Sequence, residues 1–203
     1  MRGHIDPGTR GTRKVRAPAS GLDVRDFPSY MLTADSVVYR IHRAAFGPWW
    51  FSSDGSQRFD IPEPGGTCYL AARPIGAFLE TLARLSVVLT DDVVIRRLAI
   101  IRIGSDLQLA DCLNPVAAGF GVTATTSAGY PYSRVSHPWA RRFYQAGFDG
   151  IRYGAAHHPA LAETSYALFG PTDGSNGHGT YTDRYIPDDL LDEARLKFGL
   201  AVM

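Results

Sequence analysis

The apolar positions of the chain change period several times, and each change marks an element. Residues 36–42 (SVVYRIH) combine β-branched and aromatic side chains and predict a strand. Residues 67–71 (TCYLA) predict a second, short and largely apolar one. From Pro74 the spacing becomes helical: Ile75, Phe78, Leu79, Leu82 and Leu85 fall on one face, and a proline suits a first turn, so a helix is predicted over 74–84. Residues 87–103 hold one or two strands, with Arg96, Arg97 and Arg102 interrupting the apolar runs. A second helix is predicted with Ser136 as its cap, Pro138 in its first turn and Gly147 as its stop. Residues 149–153 and 165–169 read as two further strands around a His157-His158 loop, and 187–198 as an amphipathic terminal helix. Between these lie an aromatic-anchored loop (46–56), a Pro/Gly turn (62–66), a mixture of short helix and loop (104–132) and a mobile Gly-rich connection (171–181). No internal repeat is visible.

Length and composition narrow the picture. With 203 residues and 45% apolar content the chain fits one domain with a sizeable core, and its 21 Gly and 13 Pro favour a loop-rich α/β or α+β domain over a bundle. Basic and acidic residues balance at 21 and 20, a net charge of +1, so bulk electrostatics does not point to direct nucleic-acid binding. No apolar run of about 18 residues is present, which argues against a membrane span. The first 30 residues lack an apolar core of the secretory kind, so a cytoplasmic protein is expected. Cys68 and Cys112 are too few for a disulfide framework or a cysteine zinc site. Residues 1–22 carry five basic side chains against Asp6, and read as a flexible basic arm ahead of a folded domain at 26–203.

Only four of the 20 acidic residues are Glu: Glu63, Glu80, Glu163 and Glu193. Glu80 lies off the apolar stripe of its helix, among the small neighbours Gly76, Ala77 and Ala83. It reads either as an exposed partner of Arg84 at i+4 or as a carboxylate that another surface or ligand can approach closely. Tyr69, in the strand feeding that helix, is by itself a core aromatic, and Arg58 by itself a surface cation. Together the three supply an anion clamp, an aromatic platform and a carboxylate. Dinucleotide-binding G-x-G-x-x-G, Walker A, H-E-x-x-H, EF-hand and G-x-S-x-G patterns are missing, and no metal site is expected, since adjacent His157 and His158 point their side chains apart.

The segments around Val38-Tyr39-Arg40, Arg58-Phe59-Asp60, residues 66–71 (GTCYLA) and 77–80 (AFLE), with 146–153 (AGFDGIRY) and 167–169 (ALF), together resemble the RES domain over roughly residues 36–170. The resemblance implies an α+β fold of one domain, an ADP-ribosyltransferase-like split mixed β-sheet flanked by helices. It implies an NAD-consuming enzyme, typically the toxin of a toxin–antitoxin pair whose antitoxin carries a helix-turn-helix domain. Some members transfer ADP-ribose to phosphate, acting as NAD phosphorylases. By matching position Arg58 and Glu80 would be the family's Arg and Glu. Arg40 and Tyr69 would line the NAD pocket, and Ser133 is the best match for its Ser. Many members carry a Ser after the strand that here ends at Tyr153, where this chain reads Gly154-Ala155-Ala156.

On that footing Glu80 would stabilise positive charge growing on the ribose as nicotinamide leaves, and Arg40 and Arg58 would hold the pyrophosphate and incoming phosphate. Tyr69 would stack on nicotinamide, and Ser133 would donate to a phosphate oxygen. NAD and inorganic phosphate are then substrates; no prosthetic group or metal is required. Hydrolysis or transfer to another acceptor, or a nucleotide- or partner-binding module without catalysis, are the competing readings. Self-association is left open.

Overall fold

Strand parity decides what reaches the interior, and one strand shows how. In β3 (Gly65–Ala71), Cys68 and Leu70 enter an apolar layer with Val38, Phe51, Ile101 and Leu168, while Tyr69 and Ala71 face the helices. The computed structural model describes residues 17–203 except 84–86, 125, 127–128, 156–157, 159–161, 173 and 175–176. Eight strands form one mixed sheet in the order β1 (Ser29–Leu32), β6 (Leu107–Asp111), β7 (Gly150–Gly154), β8 (Thr164–Pro171), β3, β2 (Val37–Arg43), β5 (Arg96–Ile103) and β9 (Gly179–Arg184). All neighbours in it are antiparallel except β6 and β7. β4 (Val87–Val88) pairs separately with β10 (Ala201–Val202).

β2 runs alongside β5 over its whole length, and β3 alongside β8, yet β2 and β3 meet in register only at Tyr39 and Ala71. The sheet is split there. α1 (Pro74–Leu82) packs Ile75, Phe78 and Leu79 with Leu190 and Ala194 of α5 (Asp188–Phe198) beside this split. On the other half, α4 (Ser136–Gln145) buries Trp139, Ala140 and Phe143 against Phe148 and Ile151. Burying each such large side chain stabilises the fold by about 1.5–3 kcal/mol. The chain is therefore α+β, a split mixed sheet flanked by helices, as expected. Among the described residues no helix is long and apolar enough to cross a membrane.

Several local expectations are corrected. The first helix stops at Leu82, and Arg84 and Leu85, like residues 1–16 of the basic arm, lie outside the described residues. Val24 and Phe27 already belong to the core. The stretch 87–103 is interrupted by α2 (Thr90–Val94), whose first turn holds Asp91 and Asp92, favourable at a helix N-terminus. The stretch 104–132 contains β6 as well as the short α3 (Ala117–Phe120). The Gly-rich connection ends in the regular strand β9, which lies at the sheet edge and exposes nearly every side chain, so no apolar alternation marks it. Ser136 does not cap α4. A short 3₁₀ turn, Tyr132–Arg134, leads straight into the helix, Val135 takes the cap position, and Ser136 is fully buried within the first turn.

Gly150 shows how tightly the strands fit. A Cβ there would stand 2.5 Å from the Ala167 carbonyl oxygen and 3.0 Å from the Leu168 Cα, both backbone. Gly150→Ala is expected to lower stability by about 1–3 kcal/mol, read as a lower urea midpoint with unchanged slope.

Candidate active site

A cleft of about 870 Å³ is lined by both strands of the split, by α1 and by the segment carrying Gln57 and Arg58. That volume is toward the upper end for a small-molecule site. α1 sends its apolar stripe into the core and leaves Glu80 on the cleft side, its side chain 18% exposed. The Arg58 side chain is 9% exposed and places Nη1 3.7 Å from Glu80 Oε2. Its guanidinium lies 5.7 Å from the ring centroids of both Tyr132 and Tyr153, where ring quadrupoles favour a cation. Its Nε is buried without a hydrogen-bond partner among the described residues. The Tyr153 hydroxyl donates to Glu80 Oε2 at 3.3 Å. Burial, then the Glu80 charge, pushes this phenol well above its ordinary range, so it stays a proton-bearing donor.

The Arg58 segment has no regular structure and is pinned by polar groups instead. Buried Asp60 accepts from the Tyr69 hydroxyl (2.9 Å), Ser52 Oγ (2.9 Å) and the Gln57 amide (3.0 Å). The Tyr69 oxygen in turn accepts from the Phe59 amide at 2.8 Å, and Thr67 Oγ1 donates to the Phe59 carbonyl at 2.8 Å. A carboxylate out of water is tolerated because three donors meet it. Tyr69 and Asp60 thereby fix the backbone on both sides of Arg58.

The sequence-based candidates thus separate. Glu80 and Arg58 come together, and Tyr69 lines the same cleft with its hydroxyl committed to the Arg58 segment. Arg40 also lines the cleft, but strand parity sends it to the Cys68 face. There Nη1 donates to the carbonyls of Pro48 (2.6 Å) and Trp50 (3.1 Å) and meets Cys68 Sγ. Ser133 is exposed in the 3₁₀ turn and does not line the cleft, whereas its neighbour Tyr132 does. Ala155 is fully buried, its amide donating to the Glu163 carbonyl; Ala156 and His157 lie outside the described residues. Glu163 itself is held by Arg73 at 2.7 Å, away from the cleft lining. Sequence reasoning missed Tyr132, Tyr153 and Asp60. Tyr153 sits at an inward position of a buried strand, where nothing distinguishes it from a core aromatic.

His42 neighbours this region on β2. Its side chain is almost fully buried, Nδ1 donates to the Arg43 carbonyl at 3.0 Å, and Asp183 Oδ2 stands 3.6 Å from Nε2. Burial holds its pKa below the ordinary 6.5, outweighing the Arg43 carbonyl and Asp183. A depressed folded pKa means that neutral His42 contributes stability above about 6.5, which is lost as pH falls through the folded value. Between pH 7.5 and 5 the parent is expected to lose more melting temperature than His42→Gln; parallel curves would contradict this.

Chemically, the site offers a fixed carboxylate able to face a developing positive charge, backed by a cation and a phenol. It also offers a guanidinium on the cleft wall as a cation for an anion. The sequence matches the RES domain over residues 37–184. The fold is similar to a chain in the crystal structure of the M. tuberculosis MbcT–MbcA toxin–antitoxin complex. That match has a TM-score of 0.62 at 17% identity and covers 81% of this chain and 91% of that one. No curated protein sequence matches.

Proposed function

Because the chain belongs to the RES domain family, we propose that it cleaves the nicotinamide–ribose bond of NAD, with inorganic phosphate as acceptor, and serves as the toxin of a toxin–antitoxin pair. The observation that carries this reading is the approach of Arg58 to Glu80, 3.7 Å apart in one cleft that Tyr132 and Tyr153 also line. The toxin role is supported by the fold's likeness to a chain of a toxin–antitoxin complex.

In the reaction, the C–N bond to the pyridinium breaks and its electron pair leaves with nitrogen, so nicotinamide departs neutral and needs no proton. Positive charge grows on the ribose, and the Glu80 carboxylate, oriented by Tyr153, stands to oppose it. A phosphate oxygen then forms the new C–O bond, giving ADP-ribose 1″-phosphate. Arg58, lining the cleft beside Glu80, is the cation for an anionic oxygen of substrate or acceptor. Tyr69 holds the backbone around Arg58 through Asp60 and Phe59 and adds its ring to the cleft wall.

The test is product analysis after incubation with NAD in the presence and absence of phosphate. The phosphorylated sugar appearing only with phosphate is the expected result. Free ADP-ribose in both would make the chain a glycohydrolase, and a modified protein would make it a transferase. A helix-turn-helix antitoxin and confinement to the cytoplasm belong to the same proposal; co-expression of a neighbouring gene product that silences nicotinamide release checks the first.

A further inference from the structure

A second chamber of about 320 Å³ adjoins the cleft. Arg40, Arg43, Trp50 and Thr81 line both, so the two share a wall, but Glu80, Arg58 and Tyr69 line only the larger one. The smaller chamber is walled by two half-exposed aromatic rings, Phe46 (57%) and Trp50 (58%), with centroids 6.1 Å apart and planes at 48°. Their loop is anchored. Arg40 Nη1 takes the Pro48 and Trp50 carbonyls, Pro48 is buried, and Trp49 stacks on Phe51 at 6.3 Å. Exposed apolar surface gathered along a groove, rather than scattered singly, is the kind that marks a ligand site. Arg43 is exposed at the junction, and no described acceptor holds its guanidinium.

Resting on the reading of the cleft as an NAD site, we infer that this annex receives the adenosine end of the dinucleotide, its base against Trp50 and Phe46 and its phosphate near Arg43. A dinucleotide whose reactive ribose lies at Glu80 must send its other half elsewhere along the cleft. Thr81 lines both spaces, and the annex offers what a purine and a phosphate need: π-faces and an exposed cation. Arg40, committed to the loop carbonyls, is then a positioning residue that holds the aromatic platform. Base–aromatic stacking of this kind changes affinity by about tenfold or more when the ring is removed.

The experiment compares NAD with nicotinamide mononucleotide, which keeps the scissile bond and lacks the adenosine half. In Trp50→Ala the ratio of kcat/KM for NAD over the mononucleotide is expected to fall about tenfold or more through KM. Phe46→Ala should move it the same way, and Trp50→Phe should restore most of it. An unchanged ratio in both alanine variants overturns the annex, while nicotinamide release by the parent leaves the NAD reading standing. Calorimetry with ADP-ribose reads the annex without turnover. Tenfold weaker binding in Trp50→Ala supports it, and equal affinity, or no affinity in the parent, overturns it.

Discussion

Glu80→Gln is expected to slow nicotinamide release from NAD by about 10²–10³-fold, with the dissociation constant for NAD changing far less. The amide keeps the shape of the carboxylate and can still accept from the Tyr153 hydroxyl, which stands 3.3 Å from Oε2. What it removes is the negative charge. In the ground state the ribose carries little positive charge, so the loss is felt chiefly in the transition state and appears in kcat. Single-turnover release, paired with calorimetry on the same preparation, separates the two quantities. A variant that releases nicotinamide as fast as the parent would remove Glu80 from the chemistry, and one that loses binding alone would make it a ligand contact.

Arg58→Ala should cut deeper and less selectively. Its guanidinium lies 5.7 Å from the ring centroids of Tyr132 and Tyr153 and opposes the Glu80 charge at 3.7 Å. Truncation leaves a void and an uncompensated carboxylate, and stability should fall toward the lower end of about 3–5 kcal/mol, since water reaches part of Glu80. KM for NAD and for phosphate should rise more than tenfold, because the donor meant for an anion is gone. Arg58→Lys separates the roles: it returns charge and most of the stability but not the planar fork, so binding recovers only in part. Unchanged KM values in a folded Arg58→Lys protein would confine Arg58 to a structural task.

The outline of this site was legible through the family resemblance rather than through any period, since Glu80 and Tyr69 sit on regular elements but Arg58 does not. Falling off the stripe of Ile75, Phe78, Leu79 and Leu82 left Glu80 open to two readings, an exposed partner of Arg84 or an approachable carboxylate, and α1 places it on the cleft wall. Arg58 and Tyr69 were legible as candidates, but not their relation. No periodicity announces that Tyr69 spends its hydroxyl on Asp60 and Phe59, because that link joins a strand to an irregular loop. Arg40 lines the cleft, yet its parity with Cys68 commits it to the Pro48 and Trp50 carbonyls, a commitment no pattern in the sequence announces. Ser133 was legible as a loop serine and no more; the structure leaves it exposed and gives the cleft wall to Tyr132. Tyr153 was hidden by its own burial, a tyrosine in a closing strand being ordinary core until its hydroxyl is seen beside a carboxylate. Edge strand β9 escaped for the opposite reason, with no buried face to impose alternation.

The most direct measurement is the number of nicotinamide molecules released per molecule of purified chain from excess NAD with phosphate present. The account predicts many turnovers, abolished in parallel by Glu80→Gln. Release that never exceeds background at any protein concentration, from a folded preparation, would contradict it.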